Sequence, residues 1–173
     1  MGKLILVSGE NSSGKSVFAE KTASSLGGKR YYIATMIPQT PDNHRRIEKH
    51  KKQREGLGFI TLELPYGFSE VVVGPDSVIL LEDVSNLLAN NIFEKKKTAD
   101  MVFDEIISLT EKCRAVVAVT ISGLQDAGYD EETAMYIDSL NKINQKLYDK
   151  AWTAIKMVNG KPVFEKGESY DIN

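Results

Sequence analysis

The segment Gly9-Glu10-Asn11-Ser12-Ser13-Gly14-Lys15-Ser16 fits the pattern G-x-x-x-x-G-K-S. Its chemistry is the binding of a nucleoside triphosphate. The glycines let the backbone wrap around phosphates without a Cβ clash. Unpaired N–H groups at the start of the helix that follows point at the anion, and the helix dipole adds to them. Lys15 then reaches the β and γ phosphates, and Ser16 supplies a hydroxyl to Mg²⁺. A second candidate lies in Val78-Ile79-Leu80-Leu81-Glu82-Asp83. Four apolar residues bury a strand, and the acidic groups emerge at its C-terminal end, where open α/β sheets hold their ligands. Either Glu82 or Asp83 can orient Mg²⁺ or its water shell. The plain alternative is an acidic turn. The chain has no N-K-x-D guanine signature, which disfavours a signalling GTPase.

A third group is His44–Arg54, HRRIEKHKKQR, which holds six Lys/Arg residues and both histidines of the chain. On a helix, Arg46, His50 and Arg54 stand at i, i+4 and i+8 along one face. A cationic face beside a phosphate loop neutralises a triphosphate. Neutral imidazole is a nucleophile for phosphorus, so nucleotidyl transfer through His50 is chemically open. A solvated basic surface helix is the alternative, and binding of nucleic acid, with a steep dependence on salt, is a weaker one.

These groups need elements to position them. Lys3–Ser8 is a β-rich run ending at glycine, and Lys15–Leu26 carries Val17, Phe18, Ala19, Ala23 and Leu26 near helical spacing before Gly27-Gly28. Arg30–Thr35 reads as a second strand. Thr40-Pro41-Asp42 opens a helix to about Glu55, with Thr40 as N-cap and Pro41 in its first position. Phe59–Glu63, Ser77–Glu82 and Ala115–Ile121 read as strands, the last two continuous and apolar as in a buried parallel sheet. Ser85–Phe93 and Ala99–Cys113 read as helices, the second with Val102, Ile106, Leu109 and Cys113 in one stripe. Asp130 caps a long helix that buries Ile137, Leu140, Ile143, Leu147 and Ala151. Trp152–Val158 and Pro162–Phe164, split by Asn159-Gly160, form a C-terminal hairpin. The alternation of strands and helices predicts an α/β, P-loop NTPase-like fold with a mainly parallel sheet flanked by helices. The residues after Gly167 read as a loose tail.

Composition adds exclusions. The 173 residues suit one domain, residues 1–173, with 42% hydrophobic and 27% charged residues. No apolar run approaches the roughly 20 residues that span a bilayer. Gly9, Glu10 and Asn11 interrupt any signal-peptide core. The single cysteine, Cys113, excludes an internal disulfide and a cysteine-based zinc site, and suits a reducing, cytoplasmic setting. With 22 basic against 24 acidic residues, net charge −2 gives no general reason to bind nucleic acid or membrane.

Taken together, several segments resemble the bifunctional adenosylcobinamide kinase / adenosylcobinamide-phosphate guanylyltransferase family of cobalamin biosynthesis. They are the GENSSGKS loop, Tyr32–Thr35 (YIAT), Arg46-Ile47-x-x-His50, Thr61-x-Glu63, Leu80–Asp83 (LLED) with Asn86-Leu87-Leu88 and Asn90, and Asn144-Gln145 before Ala151. The resemblance runs over about residues 3 to 158. It implies a two-step enzyme. A nucleoside triphosphate, GTP or ATP, first phosphorylates the aminopropanol hydroxyl of adenosylcobinamide. GTP then donates GMP to that phosphate, carried in between as a phosphoramidate on the histidine that stands at His50. It also implies nucleotide contacts at Gly9–Ser16, at Ala34, Thr35 and Met36, and at Lys51, Lys52 and Gln53, acidic positions at Glu63 and Glu82, and a homo-oligomer, a trimer in the family.

The chain departs from the family in three places. Ile121-Ser122-Gly123-Leu124 stands where Asn-Glu-Val-Gly is common, and Tyr136–Leu140 lacks the arginines usual before the Asn-Gln pair. Glu55 follows Arg54 where proline is usual, and Phe59 stands near the place of a tryptophan. A P-loop kinase for another small molecule, with His50 idle, and a non-catalytic nucleotide-binding homologue with a regulatory role are the rival readings.

Overall fold

The computed structural model describes residues 1–125 and 127–167. The elements run β1 (Lys3–Gly9), α1 (Lys15–Ser25), β2 (Arg30–Ala34), α2 (Pro41–Gln53), β3 (Phe59–Glu63), β4 (Val78–Leu81), α3 (Val84–Lys95), α4 (Ala99–Thr110), β5 (Ala115–Ile121), α5 (Glu131–Lys150), β6 (Thr153–Val158) and β7 (Lys161–Lys166). The expected tail after Gly167 lies outside the described residues. No helix among the described residues is long and apolar enough to cross a membrane.

The strands form one sheet in the order β3-β2-β4-β5-β1-β6-β7, parallel except for β7, which pairs antiparallel with β6. Strand residues alternate between two cores, as the period of two requires. Leu4, Leu6, Ile79, Leu81, Val116 and Ala118 face α3, α4 and α5, while Ile5, Val7, Val78, Leu80, Val117 and Val119 face α1. Both faces are covered, which is why β4 and β5 read as unbroken apolar runs.

Local signals account for most boundaries. Thr40, Thr98 and Asp130 accept hydrogen bonds from Asn43, Met101 and Thr133 at the starts of α2, α4 and α5. Asn159 and Gly160 both have positive φ (51° and 77°), the turn that matches the twist of a two-residue hairpin. Helix α4 stops at Thr110 rather than Cys113. The chain must reverse there to enter β5, and Lys112 leaves the helix to donate to the carbonyls of Phe68 and Val71. Cys113 stays buried against the same core.

Helix α2 differs from the others because none of its residues is buried. Its sequence has too few apolar residues to make a core-facing stripe, so it is held at the edge by polar side chains. Segments with few buried apolar contacts open at low free energy. We expect amides of residues 41–53 to exchange with deuterium well before those of Ala115–Ile121 in the nucleotide-free protein. Equal protection of the two segments would contradict this account of α2.

Candidate nucleotide site

The loop between β1 and α1 is shaped by its glycines. A Cβ on Gly9 would lie 2.9 Å from the Met157 carbonyl oxygen and 2.5 Å from Ser13 Oγ. Gly14 takes φ 91° at the N-cap of α1, and no side chain caps the helix. The first-turn amides are thereby left for an anion. The loop is braced from both sides, since Ser122 N donates to Gly9 O (3.0 Å) and Gly160 N to Ser13 O (3.1 Å). The C-terminal hairpin therefore supports the phosphate loop, a role with no signal in its own sequence.

Lys15 Nζ donates to the Glu10 carbonyl at 2.8 Å. Its burial lowers the ammonium pKa, and the nearby Asp83 carboxylate works the other way. Asp83 Oδ1 accepts from Ser85 N (2.9 Å), Ser85 Oγ (2.6 Å) and Asn86 N (3.4 Å), which starts α3. Burial raises the Asp83 pKa above the usual carboxylate range, and these hydrogen bonds oppose it. Glu82 is held differently. Its Oε2 accepts from Thr35 N at 2.8 Å, and the Tyr32 hydroxyl also bonds it. Asn90 Nδ2 in turn donates to Thr35 O at 2.8 Å. Thr35 is fully buried, so among the residues at the end of β2 it serves as the anchor of Glu82, while Ala34 and Met36 line a cavity.

Two adjoining cavities meet here. One, of about 570 Å³, is lined by Asn11–Ser16, Arg46, Lys49, His50, Gln53, Glu82 and Asp83, with Ser85, Leu124 and Tyr136 on the far side. The other, of about 420 Å³, takes in Tyr32, Ala34, Pro38, Ile47, Lys51 and Glu63. Met36 and Glu82 border both. A larger cavity of about 920 Å³ lies around Lys3, Cys113, Arg114 and Trp152, at the beginnings of β1 and β5, and holds none of the predicted site residues.

The structure thus brings Asn11–Ser16, Arg46, His50, Gln53, Glu82 and Asp83 to one cavity and Lys51 and Glu63 to its neighbour, while Gly9 and Glu10 border neither. Lys52 borders neither. Arg54 leaves the helical face that its spacing predicts. α2 ends at Gln53, and the Arg54 guanidinium stacks 3.8 Å from the Tyr32 ring centroid and donates to Thr61 Oγ1. Burial lowers the His50 pKa; Glu82 opposes the shift, while Arg46, Arg54 and Lys49 reinforce it. His50 Nδ1 is buried with no hydrogen-bond partner among the described residues.

Glu20 is a buried residue behind the site that the sequence reading misses. The apolar stripe of α1 runs on paper through Val17, which is exposed, whereas Glu20 is 3% exposed. Its position one turn after Ser16 is the available signal. Gln53 Nε2 donates to Glu20 Oε2 at 2.8 Å and lies 3.3 Å from Ser16 Oγ, so one amide ties α2 to α1. Burial raises the Glu20 pKa, and the Gln53 bond and Arg54 oppose the rise.

The donor set fits Mg²⁺ arriving with a triphosphate. Ser16 and Asp83 border the same cavity, and among the described residues no group of three or more His, Cys, Asp or Glu makes a self-sufficient metal cage. Mg²⁺ commonly takes one or two protein oxygens together with phosphates and waters.

A glycine loop running from a parallel strand into an uncapped helix, with acidic residues at the end of a strand separated from it by one other, defines a P-loop nucleotide-binding α/β domain. Its fold is similar to that of a solved ATPase domain (8% identity, 95% of this chain and 77% of that one, TM-score 0.54). It is also similar to a KaiC-like protein from Pyrococcus horikoshii OT3 (14% identity, 96% and 80%, TM-score 0.50). A third likeness is to a prototypical ATPase from the type III secretion system of pathogenic bacteria (12% identity, 91% and 51%, TM-score 0.52). These likenesses establish the fold. The family model for cobinamide kinase / cobinamide phosphate guanyltransferase (CobU) matches residues 5–164, and the chain belongs to that family, a transferase family of cobalamin biosynthesis. No curated protein matches the sequence.

Two outcomes follow from the site's geometry. Gly9→Ala should weaken nucleotide binding by at least about tenfold, measured by titration calorimetry, because the loop must shift off the Met157 carbonyl; unchanged affinity would refute the close approach. Gln53→Ala should destabilise the fold by about 1–3 kcal/mol in urea unfolding, since it leaves the buried Glu20 carboxylate without its donor. A loss indistinguishable from zero would show that the Gln53 tether is dispensable.

Proposed function

We propose that the chain phosphorylates adenosylcobinamide and then transfers GMP from GTP to adenosylcobinamide phosphate through a GMP–His50 intermediate. The observation that carries this reading is that His50 and the phosphate loop border one cavity. A triphosphate seated on the α1 amides and Lys15 then lies within the same enclosure as the imidazole. The membership in the kinase and guanyltransferase family supports both halves of the reaction.

In the kinase half, the acceptor hydroxyl attacks the γ phosphorus and the nucleoside diphosphate leaves. Lys15 and the loop amides stabilise the charge on the transferring group. Ser16 with Asp83 would hold Mg²⁺, and Glu82 stands beside them, locked by Thr35. When bound, the ion supplies neutralisation of the phosphate charge. In the guanylyl half, a neutral imidazole nitrogen of His50 attacks the α phosphorus, the bond to the β-phosphate oxygen breaks, and pyrophosphate leaves. The cobinamide phosphate oxygen then attacks the same phosphorus and releases the imidazole. Arg46 and Lys49 offset the charge of the phosphates. The adjoining cavity, with Met36, Lys51 and the Glu63 carboxylate, is where the nucleoside is placed.

The depressed His50 pKa keeps the nucleophile neutral at physiological pH. Incubation with GTP and Mg²⁺ should give a GMP adduct in the mass spectrum that is absent in His50→Ala. No adduct under conditions where GTP binds would overturn the guanylyl half. The rate of adduct formation should fall toward acid with a midpoint below pH 6.5, the ordinary imidazole value. A midpoint above 6.5 would contradict the burial and cationic surroundings of His50.

A further inference from the structure

We infer that Gln53 is the positioning residue of the guanylyl step: its amide bridges Ser16 and Glu20 on α1 and so fixes how far His50 stands from the α phosphorus; this rests on the proposed function above. Gln53 lies three residues after His50, so the two share a face of α2. At 1.5 Å per residue they are about 4.5 Å apart along the helix axis. The bridge therefore sits one turn from the nucleophile. Gln53 Nε2 donates to Glu20 Oε2 (2.8 Å) and to Ser16 Oγ (3.3 Å). That uses both of its protons and leaves Oε1, an acceptor with no hydrogen for a phosphate oxygen. Toward the phosphates, the nucleotide contact that the family resemblance implies at Gln53 is thus indirect. The amide holds the hydroxyl that would hold Mg²⁺.

The rest of α2 gives His50 little other support, because no residue of the helix is buried. Its start is tied by Asn43 Nδ2 to Ile37 O (3.0 Å), in the loop after β2. Its end is tied by Gln53 to α1 and by Arg54, the next residue, to Tyr32 and Thr61. Arg54 sets the helix against β2 and β3, and Gln53 sets it against the phosphate loop. Glu20 is 3% exposed, and its other oxygen, Oε1, has no partner among the described residues. Burying a carboxylate on one donor is unfavourable beside burying an apolar side chain of similar volume. An apolar side chain there would hold α2 in any register, whereas Glu20 accepts the Gln53 amide in one. Metal ligand, bridge and nucleophile then form one series, Ser16–Gln53–His50, in which the seat of the phosphates sets the approach of the imidazole. The kinase step uses the same seat without His50 and so does not depend on the bridge in this way.

The test compares the two steps in Gln53→Ala at saturating GTP and Mg²⁺. Formation of the GMP adduct should slow at least about tenfold more than phosphorylation of cobinamide, because His50 is displaced while the phosphate loop keeps its own groups. Equal losses in both steps, or an adduct rate within about twofold of wild type, would overturn the positioning role. The double variant Glu20→Ala/Gln53→Ala separates positioning from stability. It removes the unpaired carboxylate, so the urea midpoint should recover toward wild type while the adduct rate stays low. An adduct rate that recovers with the midpoint would make the bridge merely structural. Hydrogen exchange gives a readout without turnover. In the wild type, GTP and Mg²⁺ should slow exchange of the amides of residues 46–53 on α2, and in Gln53→Ala that protection should be at least about tenfold weaker. The same protection in both would also overturn the proposal. A wild-type protein that binds GTP and forms no adduct would instead overturn the functional reading, and the exchange measurement would still decide the bridge.

Discussion

The structure turns on the uncapped start of α1. A helix that begins on glycine with no side-chain acceptor leaves its first amides unsatisfied, and an anion is the natural partner for them. Much else in the fold keeps that geometry available. Parallel pairing of β1 with β5 and β6 brings the carbonyl of Met157 against Gly9, where only hydrogen fits. The hairpin turn at Gly160 and the residue after β5 hold the loop by its carbonyls. With β5 inserted between β1 and β4, the acidic pair at the end of β4 stands across the cavity from the loop rather than against it.

Around this fixed centre the chain divides its two carboxylates by their surroundings. Asp83 is half-buried, caps α3 and faces Lys15, while Glu82 is clamped by the Thr35 amide and the Tyr32 hydroxyl beside His50. Neighbouring residues in sequence thus turn to different partners. The histidine helix is attached more loosely. It has no buried residue and is joined to the P-loop helix through Gln53 and Glu20, and to β2 through Arg54, which follows it, on Tyr32.

Most of the fold is legible in the sequence because its signals are local. The caps at Thr40 and Asp130, the Asn159-Gly160 turn and the apolar runs of β4 and β5 each specify an element without reference to the rest. The phosphate loop is legible for the same reason. What escapes depends on contacts distant in sequence. Glu20 reads as a solvent-facing charge until Gln53 covers it. Arg54 shares a helical phase with Arg46 and His50, yet the helix ends one residue earlier and Tyr32 takes the guanidinium. Thr35 sits where a nucleotide contact is expected and is spent on holding Glu82. Ser85 and Tyr136 border the cavity from elements 51 positions apart, which no short pattern joins.

In the proposed reaction one bound nucleotide is served by the phosphate loop and by His50 in a single cavity. The most direct measurement is formation of the GMP–His50 adduct by Lys15→Ala under saturating GTP and Mg²⁺. If the cavity works as one site, loss of the Lys15 ammonium should slow adduct formation by at least about a hundredfold even though His50 is untouched, because the triphosphate is no longer held and neutralised. Adduct formation at the wild-type rate would show that His50 draws its GMP from a nucleotide bound elsewhere.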